Sequence, residues 1–359
     1  MRSHAQERAR RAITRLAHQG RGAGEFALAA ARALRPAVGF DGVCVLMFDP
    51  ATLLQTGEVV ENGLPVEAFQ RMTQIEVGED DFNKFAALAL SRRPAASLYA
   101  STGGQLERSV RHREVRGPNG IHGDELRASL VSRSGTWGGI TLLRADGPPF
   151  TPSDVGFLAA MSRQLADGLR QSLLIDATAE NRPRTDAGLL VLADDNSIEL
   201  ANAAAWEWLE ELGSGAATGA SVPPVVHAVA SHARSLAAGG DTGSAASARL
   251  RTRAGRWLLV RGSLLGEAPH QRAAVILEAA QPRSLFPLIS RVYGLTEPER
   301  RVSELVAQGL PTREIAGRLH LTQYTVQDHL KSIFTKIGVH TRGELIARIY
   351  LHGGEPDQL

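Results

Sequence analysis

The sequence predicts a multidomain chain in which two α+β domains precede an all-α domain of four helices. Its length of 359 residues fits two or three domains, since single domains usually run to about 100–200 residues. Two polar, proline-containing stretches without hydrophobic periodicity, residues 176–186 and 280–287, separate the three regions. The last region carries four capping signals for short helices. We therefore predict domains at residues 1–175, 186–281 and 286–352.

The N-terminal region alternates helices with apolar strands, which is typical of an α+β sheet domain. In order, the predicted elements are a helix over 5–34 before Pro36, strands over 43–48 and 53–60, a helix over 82–90, a hairpin of strands 125–131 and 137–143, and a helix over 154–175. The stretch from Ser91 to Asp124 is long, polar and rich in glycine, so we expect it to cover a functional site or to lack order. His112, His122, Asp124 and Glu125 could hold a metal ion or haem, but their spacing matches no standard site, and we expect the two histidines to be solvated.

The helix predicted over 154–175 carries an apolar stripe along one side. Its members are Phe157, Leu158, Met161, Leu165, Leu169 and Leu173. Such a stripe either packs on the sheet of its own domain or pairs with the same helix in a second copy of the chain. The sequence leaves both interpretations open.

The middle region begins with an apolar hairpin. Its predicted elements are strands over 189–192 and 198–201 around the turn Asp194–Asn196, a helix from Asn202, a hairpin over 248–265 and a strand over 274–277. The stretch 190–196, an apolar strand followed by two aspartates, also suggests the first strand and acidic pocket of a phosphorylated receiver domain. A receiver needs a phosphoacceptor aspartate after a third strand and a later lysine, and no lysine occurs between Lys84 and Lys331. The receiver interpretation is therefore rejected.

The C-terminal region reads as four short capped helices joined by tight turns, which is a helix-turn-helix pattern. The predicted N-caps are Thr296, Thr312, Thr322 and Thr341. The third helix has an apolar stripe of Val326, Leu330, Ile333 and Ile337. Its opposite face carries Gln323, Tyr324, Gln327, Asp328, Lys331 and Thr335, side chains that can bond to base edges. Of the chain's three lysines, Lys331 and Lys336 lie on this helix. The pattern predicts a helix that enters a DNA groove.

Composition excludes several classes of protein. The single cysteine, Cys44, rules out an intramolecular disulfide framework and fits a reducing compartment. No apolar run approaches the roughly 18 residues that a membrane span needs, so we expect a cytoplasmic protein without membrane contact. Phosphate-loop, zinc-protease and nucleophile-elbow motifs are missing. We therefore expect no enzymatic activity, no metal site and no cofactor.

The segment from Leu295 to Ile349 resembles the DNA-binding domain of LuxR/NarL-type bacterial transcription regulators. The matching positions are Leu295–Thr296, Glu299, Gly309–Leu310, Glu314–Ala316, Leu319, Thr325–Val326, His329–Leu330, Ile333, Lys336, Gly338–Val339 and Arg342. The resemblance implies that the third helix enters the major groove and that the fourth supports dimer contacts. The implied DNA-binding residues are Thr312, Thr322, Gln323, Tyr324, Thr325, Gln327, Asp328, Lys331, Lys336 and Arg342. The family usually has a lysine where this chain has Gln327, which leaves the recognised sequence open.

The two earlier regions resemble sensory domains. The strands and closing helix from Glu125 to Arg170 are similar to a GAF domain, which implies a small-molecule pocket between the sheet and the crossing loops and dimerisation through the first and last helices. The middle region resembles a PAS domain in its two hairpins and intervening helix. The fold predicted is thus a GAF-like sensor domain, a PAS-like domain and a four-helix LuxR-type domain. The effector that such a pocket would bind is not identified by any motif.

Together these patterns predict a one-component transcription regulator. Its expected partners are double-stranded DNA, RNA polymerase, a second copy of the chain and a small-molecule effector. The alternative is a GAF/PAS signalling scaffold that acts through protein contacts without specific DNA binding. Salt-dependent binding to duplex DNA distinguishes the two, because phosphate contacts release counterions and a scaffold makes none.

Overall fold

The computed structural model describes residues 2–175, 186–213, 222–240, 245–267 and 271–351. The chain divides into two compact units. Residues 1–132 and 136–279 belong to the first unit, and residues 280–359 belong to the second. The first unit contains two five-stranded sheets, and the second is helical.

The first sheet is antiparallel and has the strand order β2-β1-β5-β4-β3. Its strands are β1 Gly42–Phe48, β2 Gln55–Glu61, β3 Ala95–Ser97, β4 Glu125–Ser132 and β5 Gly135–Leu143. The helices are α1 Arg2–Leu16, α2 Ala23–Val38, α3 Phe69–Gly78, α4 Phe85–Leu90, α5 Leu98–Ser101 and α6 Pro152–Ile175. The two apolar strands and the hairpin predicted from the sequence are confirmed.

Helices cover both faces of this sheet. A Cβ built on Gly138 would meet the Leu169 side chain of α6, and one built on Gly139 would meet the Phe85 ring of α4. Because neighbouring residues of a strand face opposite sides, α6 and α4 lie on opposite faces. Helix α6 also packs against α1 and α2. Five of its six predicted stripe residues are buried there, so within one chain the stripe packs on its own domain.

Two predictions for this region are wrong. The helix expected over 5–34 is two helices, because the chain turns at Gly20, where φ is +63°. Pro36 lies inside the last turn of α2 and does not end it. The stretch from Ser91 to Asp124 is an ordered series of short strand and helical segments that fold over the sheet. Of the two expectations for this stretch, the one that it covers a functional site therefore stays a prediction. Within it His112 is buried and only His122 is exposed, so the prediction of two solvated histidines fails for the first.

The second sheet repeats the strand order of the first, β7-β6-β10-β9-β8, again with antiparallel neighbours. Its strands are β6 Gly188–Leu192, β7 Ile198–Ala201, β8 Ser247–Arg251, β9 Trp257–Leu265 and β10 Arg272–Ala279. Two helices, α7 Ala203–Glu211 and α8 Pro224–Ala237, lie between β7 and β8 in the chain. Asn202 caps α7, since its side chain accepts a hydrogen bond from the Ala205 amide at 2.9 Å. The predicted hairpins and helix start of this region are confirmed.

The two sheets of the first unit share packing. Helix α8 contacts β9 and β10 on one side and α3 and β2 on the other. Leu54, from the turn after β1, is buried within the apolar core of the second sheet, and Val77 of α3 packs against the same core. Asp49 accepts hydrogen bonds from the backbone and guanidinium of Arg249, each at 2.9 Å, and its side chain is fully buried. The two α+β regions therefore form one packed body.

The second unit is all-α. Its helices are α9 Pro282–Val292, α10 Glu297–Ala307, α11 Thr312–Leu319, α12 Gln323–Ile337 and α13 Arg342–Ile346, followed by a π-helical turn Ala347–Leu351. Helix α9 was not predicted: the linker proposed at 280–287 is helical from Pro282, and α9 contacts the final turn. The all-α prediction is correct, with one helix more than the four expected. The domain boundaries themselves stay predictions.

Candidate nucleic-acid interface

Helix α12 is fixed to its own unit by the stripe predicted from the sequence. Val326 and Ile333 are fully buried, and Leu330 and Ile337 are nearly so. The helix begins at its predicted cap, because Thr322 Oγ1 accepts a hydrogen bond from the Thr325 amide at 3.1 Å. It ends at Gly338, which takes the left-handed conformation with φ of +76° that favours glycine. These local signals orient one face of α12 inward and leave the other to solvent.

A buried carboxylate ties α12 to α10. Glu299 closes the predicted capping box, accepting a hydrogen bond from the Thr296 amide at 2.6 Å. It also accepts from Ser332 Oγ at 2.6 Å and from Lys336 Nζ at 2.8 and 2.6 Å. Desolvation alone would raise the pKa of Glu299, but these hydrogen bonds outweigh it and hold the pKa at about 2. Glu299 therefore remains charged and fixes the distance between the two helices.

The outward face of α12 carries polar side chains that point away from the unit. Gln323, Tyr324, Gln327, Asp328 and Lys331 are all exposed, and Tyr324 retains 82% of its accessible surface. Thr325 is half-buried, and its hydroxyl lies 2.9 Å from that of Thr322. This face offers hydrogen-bond donors and acceptors along one side of a helix, which is the arrangement that fits the major groove.

Three other predicted site residues are engaged inside the unit. Lys336 is held by Glu299. Arg342 donates to the Leu310 carbonyl at 3.0 Å and to Thr312 Oγ1 at 2.7 Å, which joins α13 to the start of α11. Thr312 is the first residue of α11 and not its cap, since Pro311 occupies the N-cap. The sequence could not show these contacts, because each joins residues about 30 or more positions apart.

In the first unit, a buried ionic cluster lies between β4 and the segment that crosses the first sheet. Glu125 contacts Arg111 at 3.1 Å, Arg116 at 3.2 Å and Arg127 at 3.2 Å, and all four side chains are at most 3% exposed. Desolvation raises the pKa of Glu125, but the three guanidinium groups lower it further, to about 2. Asp81 pairs with Arg111 at 2.8 Å. Sequence analysis missed this cluster, because only the fold brings its members together.

Beside this cluster, a cavity of about 600 Å³ opens along the crossing segment. It is lined by Gly104, Gln105, Leu106, Glu107, Arg108, His112 and His122. Burial, followed by the charge of Arg116, lowers the pKa of His112, so its imidazole is neutral at pH 7. The lining carries the polar or charged side chains of Gln105, Glu107 and Arg108, but more of its exposed surface is apolar than polar.

Comparison with known proteins bears on both units. The family model for bacterial regulatory proteins of the luxR family matches residues 294–349, and the GAF domain family model matches residues 24–169. The spore germination protein GerE of Bacillus subtilis (strain 168) is 36% identical over 59 residues, which cover 16% of this chain and 80% of GerE. The chain belongs to the luxR family of bacterial regulatory proteins.

Two longer relatives also match part of the chain. The transcriptional regulatory protein DesR of Bacillus subtilis (strain 168) is 33% identical over 96 residues, 25% of this chain and 48% of DesR. The nitrate/nitrite response regulator protein NarL of Escherichia coli (strain K12) is 36% identical over 96 residues, 24% of this chain and 44% of NarL. The chain thus spans about half the length of these two relatives. Neither family match indicates a catalytic activity.

Among the described residues of this luxR-family chain, no helix is long and apolar enough to cross a membrane. Within the same residues, no group of three or more histidine, cysteine or acidic side chains is arranged to hold a metal ion.

Proposed function

We propose that this luxR-family chain is a sequence-specific DNA-binding transcription regulator. The observation that carries the proposal is the outward face of α12, where five exposed polar residues, Gln323 to Lys331, stand on a helix whose opposite side is buried. In this proposal α12 enters the major groove, and Gln327, Asp328 and Lys331 contact base edges. Thr322 and Thr325 lie at the N-terminus of the same helix, where amide groups suit a phosphate.

The contacts of Lys336 and Arg342 support a different role from direct DNA binding. Lys336 forms an ion pair with Glu299, and Arg342 donates hydrogen bonds to the Leu310 carbonyl and to Thr312. We propose that both residues hold the helices in the arrangement that presents α12. Their substitution should then lower the stability of the second unit and leave the salt dependence of DNA binding nearly unchanged.

Binding of the full-length chain to duplex DNA at several salt concentrations tests the main proposal. Operator sequences are first selected from randomised duplexes, and affinity for the operator and for a scrambled duplex is followed by fluorescence anisotropy. A regulator should prefer the operator and lose affinity steeply between about 50 and 200 mM salt. A signalling scaffold should show neither a preference nor a salt slope.

We further propose that the chain acts as a homodimer, because one helix-turn-helix module contacts only a half-site. The apolar stripe of α6 is buried within its own domain, so two copies of the chain must pair through a different surface. On the outward face of the second sheet, Leu189 pairs in register with Ile276, and Leu200 lies on the edge strand next to them. These three aliphatic residues are 43%, 37% and 67% exposed. We propose that a second copy covers them.

The first unit is proposed to be the sensor. A GAF domain fits that role, and the second sheet, which has the same strand order as the first, supports the proposal that the middle region is PAS-like. The cavity lined by Leu106, Arg108 and His112 combines a mostly apolar surface with polar side chains, which supports a small, partly apolar effector that carries a polar group. RNA polymerase is proposed as the partner through which the DNA-bound dimer changes transcription.

An effector of this kind can be sought with point variants of the full-length chain. Deletion of residues 1–175 is unsuitable, because it would remove Leu54 and Asp49 from their contacts with the middle region. A compound that raises the melting temperature of the parent and changes its operator affinity should do neither to Arg108→Ala. A compound that acts equally on both proteins binds elsewhere.

A further inference from the structure

Asp328 is an unusual residue for a surface that meets DNA, because its carboxylate would be repelled by phosphates. The inference that follows rests on the proposed DNA-binding function. The Asp328 side chain is 78% exposed on the outward face of α12. Two other acids of the second unit make internal contacts: Glu299 holds Lys336, and Glu344 accepts from the His340 amide at 2.7 Å. Asp328 therefore presents an exposed carboxylate that can accept a hydrogen bond from a donor group on a base.

Lys331 lies one helical turn further along the same face. Its ammonium is 4.0 Å from the Asp328 carboxylate, and its side chain is 81% exposed. That separation is too long for a hydrogen bond, so each group keeps its bonding capacity for a third partner. The two charges cancel, which lets the pair approach DNA without net repulsion or attraction. On the protein, the acceptor Asp328 lies next to the donor Lys331. The DNA surface that both contact must therefore offer a donor next to an acceptor.

One base pair meets that requirement best. In the major groove, cytosine presents the N4 amino group and guanine presents the O6 and N7 acceptors of the same pair. An adenine–thymine pair instead has its amino group flanked by acceptors on both sides, and it adds the thymine methyl group, which is a poor neighbour for a charge. We infer that Asp328 and Lys331 together read one C·G base pair of each half-site. Asp328 accepts from cytosine N4, and Lys331 donates to guanine O6 and N7.

The test compares selected sequences for the full-length parent, Asp328→Ala, Lys331→Ala and a control that is charge-matched to Asp328→Ala. The control is Glu304→Gln, which removes an exposed acid from α10. At one position of each half-site the parent should prefer C·G over the other base pairs by about 5- to 150-fold. Each of the two α12 variants should lose that preference at this same position and leave the others unchanged. The control should keep the parent's preference.

Modified bases then assign each bond to an atom. N4-methylcytosine at the identified position, which replaces the outward N–H, should weaken binding of the parent but not of Asp328→Ala. With 7-deazaguanine, which lacks N7, binding of the parent should weaken and that of Lys331→Ala should not. Effects of the two variants at different base pairs would overturn the inference, as would an Asp328→Ala chain with unchanged preference and uniformly tighter binding to all duplexes. A parent without any sequence preference would refute the proposed function and the inference together.

Discussion

The carboxylate of Glu299 gives the sharpest prediction about stability. Replacing Glu299 with glutamine removes the charge that Lys336, Ser332 and Thr296 surround. The pKa of Glu299 is about 2 in the folded chain against an ordinary value of 4.5. Because each unit of difference between folded and unfolded pKa corresponds to about 1.4 kcal/mol, the charge contributes up to about 3 kcal/mol at neutral pH.

The sign of the pH dependence follows from the lowered pKa. Above about pH 5 the carboxylate is ionised in both states, and its full contribution is present. As the pH falls from 4.5 towards 2, the unfolded chain takes up the proton first, so the free energy of unfolding decreases. The Glu299→Gln variant should be less stable than the parent at pH 7 by up to about 3 kcal/mol and should lack this decrease. The two proteins should converge in stability near pH 2.

Urea unfolding of residues 280–359, followed by circular dichroism at 222 nm, measures this difference at a series of pH values. The segment contains helices α9 to α13, which form a compact unit of their own. Glu304→Gln, an exposed acid on the same helix, serves as the control and should behave as the parent. Parallel pH profiles for the parent and Glu299→Gln would refute the reasoning.

Three further predictions concern binding and assembly. Lys331→Ala should weaken operator binding by about 1 to 3 kcal/mol, measured by fluorescence anisotropy. Lys336→Ala should instead lower the urea concentration at which half of the 280–359 segment is unfolded, and it should leave the salt slope of DNA binding nearly unchanged. Asp49→Ala leaves the half-buried Arg249 without the carboxylate that pairs with it and should destabilise the first unit by about 3 to 5 kcal/mol. Tryptophan fluorescence reports the unfolding of this unit, because all four tryptophans lie in it. An unchanged melting curve would contradict the packing of the two sheets against each other. Leu200→Glu should shift the chain from dimer to monomer in light scattering, while the same substitution at an exposed leucine of α4, Leu90, should not.

Local signals in the sequence were enough to predict much of the C-terminal unit. A threonine cap, the apolar spacing of Val326 to Ile337 and a terminal glycine each act within one or two helical turns. These rules fix where α12 begins, where it ends and which face is buried, so the exposed residues follow as well. The alternating strands and hairpin turns of the two sheets were predicted for the same reason.

Only the tertiary structure decided what the charged side chains do. In the sequence, Lys336 and Lys331 are two lysines of one helix; in the fold, one is neutralised by Glu299 and the other faces solvent. The crossing segment reads as polar and exposed, yet Arg111 and Arg116 are buried against Glu125. Burial of a charge depends on an opposite charge supplied from a distant part of the chain, and no local pattern records that partner. Local sequence patterns therefore determined α12, the strands of the two sheets and the faces that these elements present, while folding determined the partners of the ionised groups.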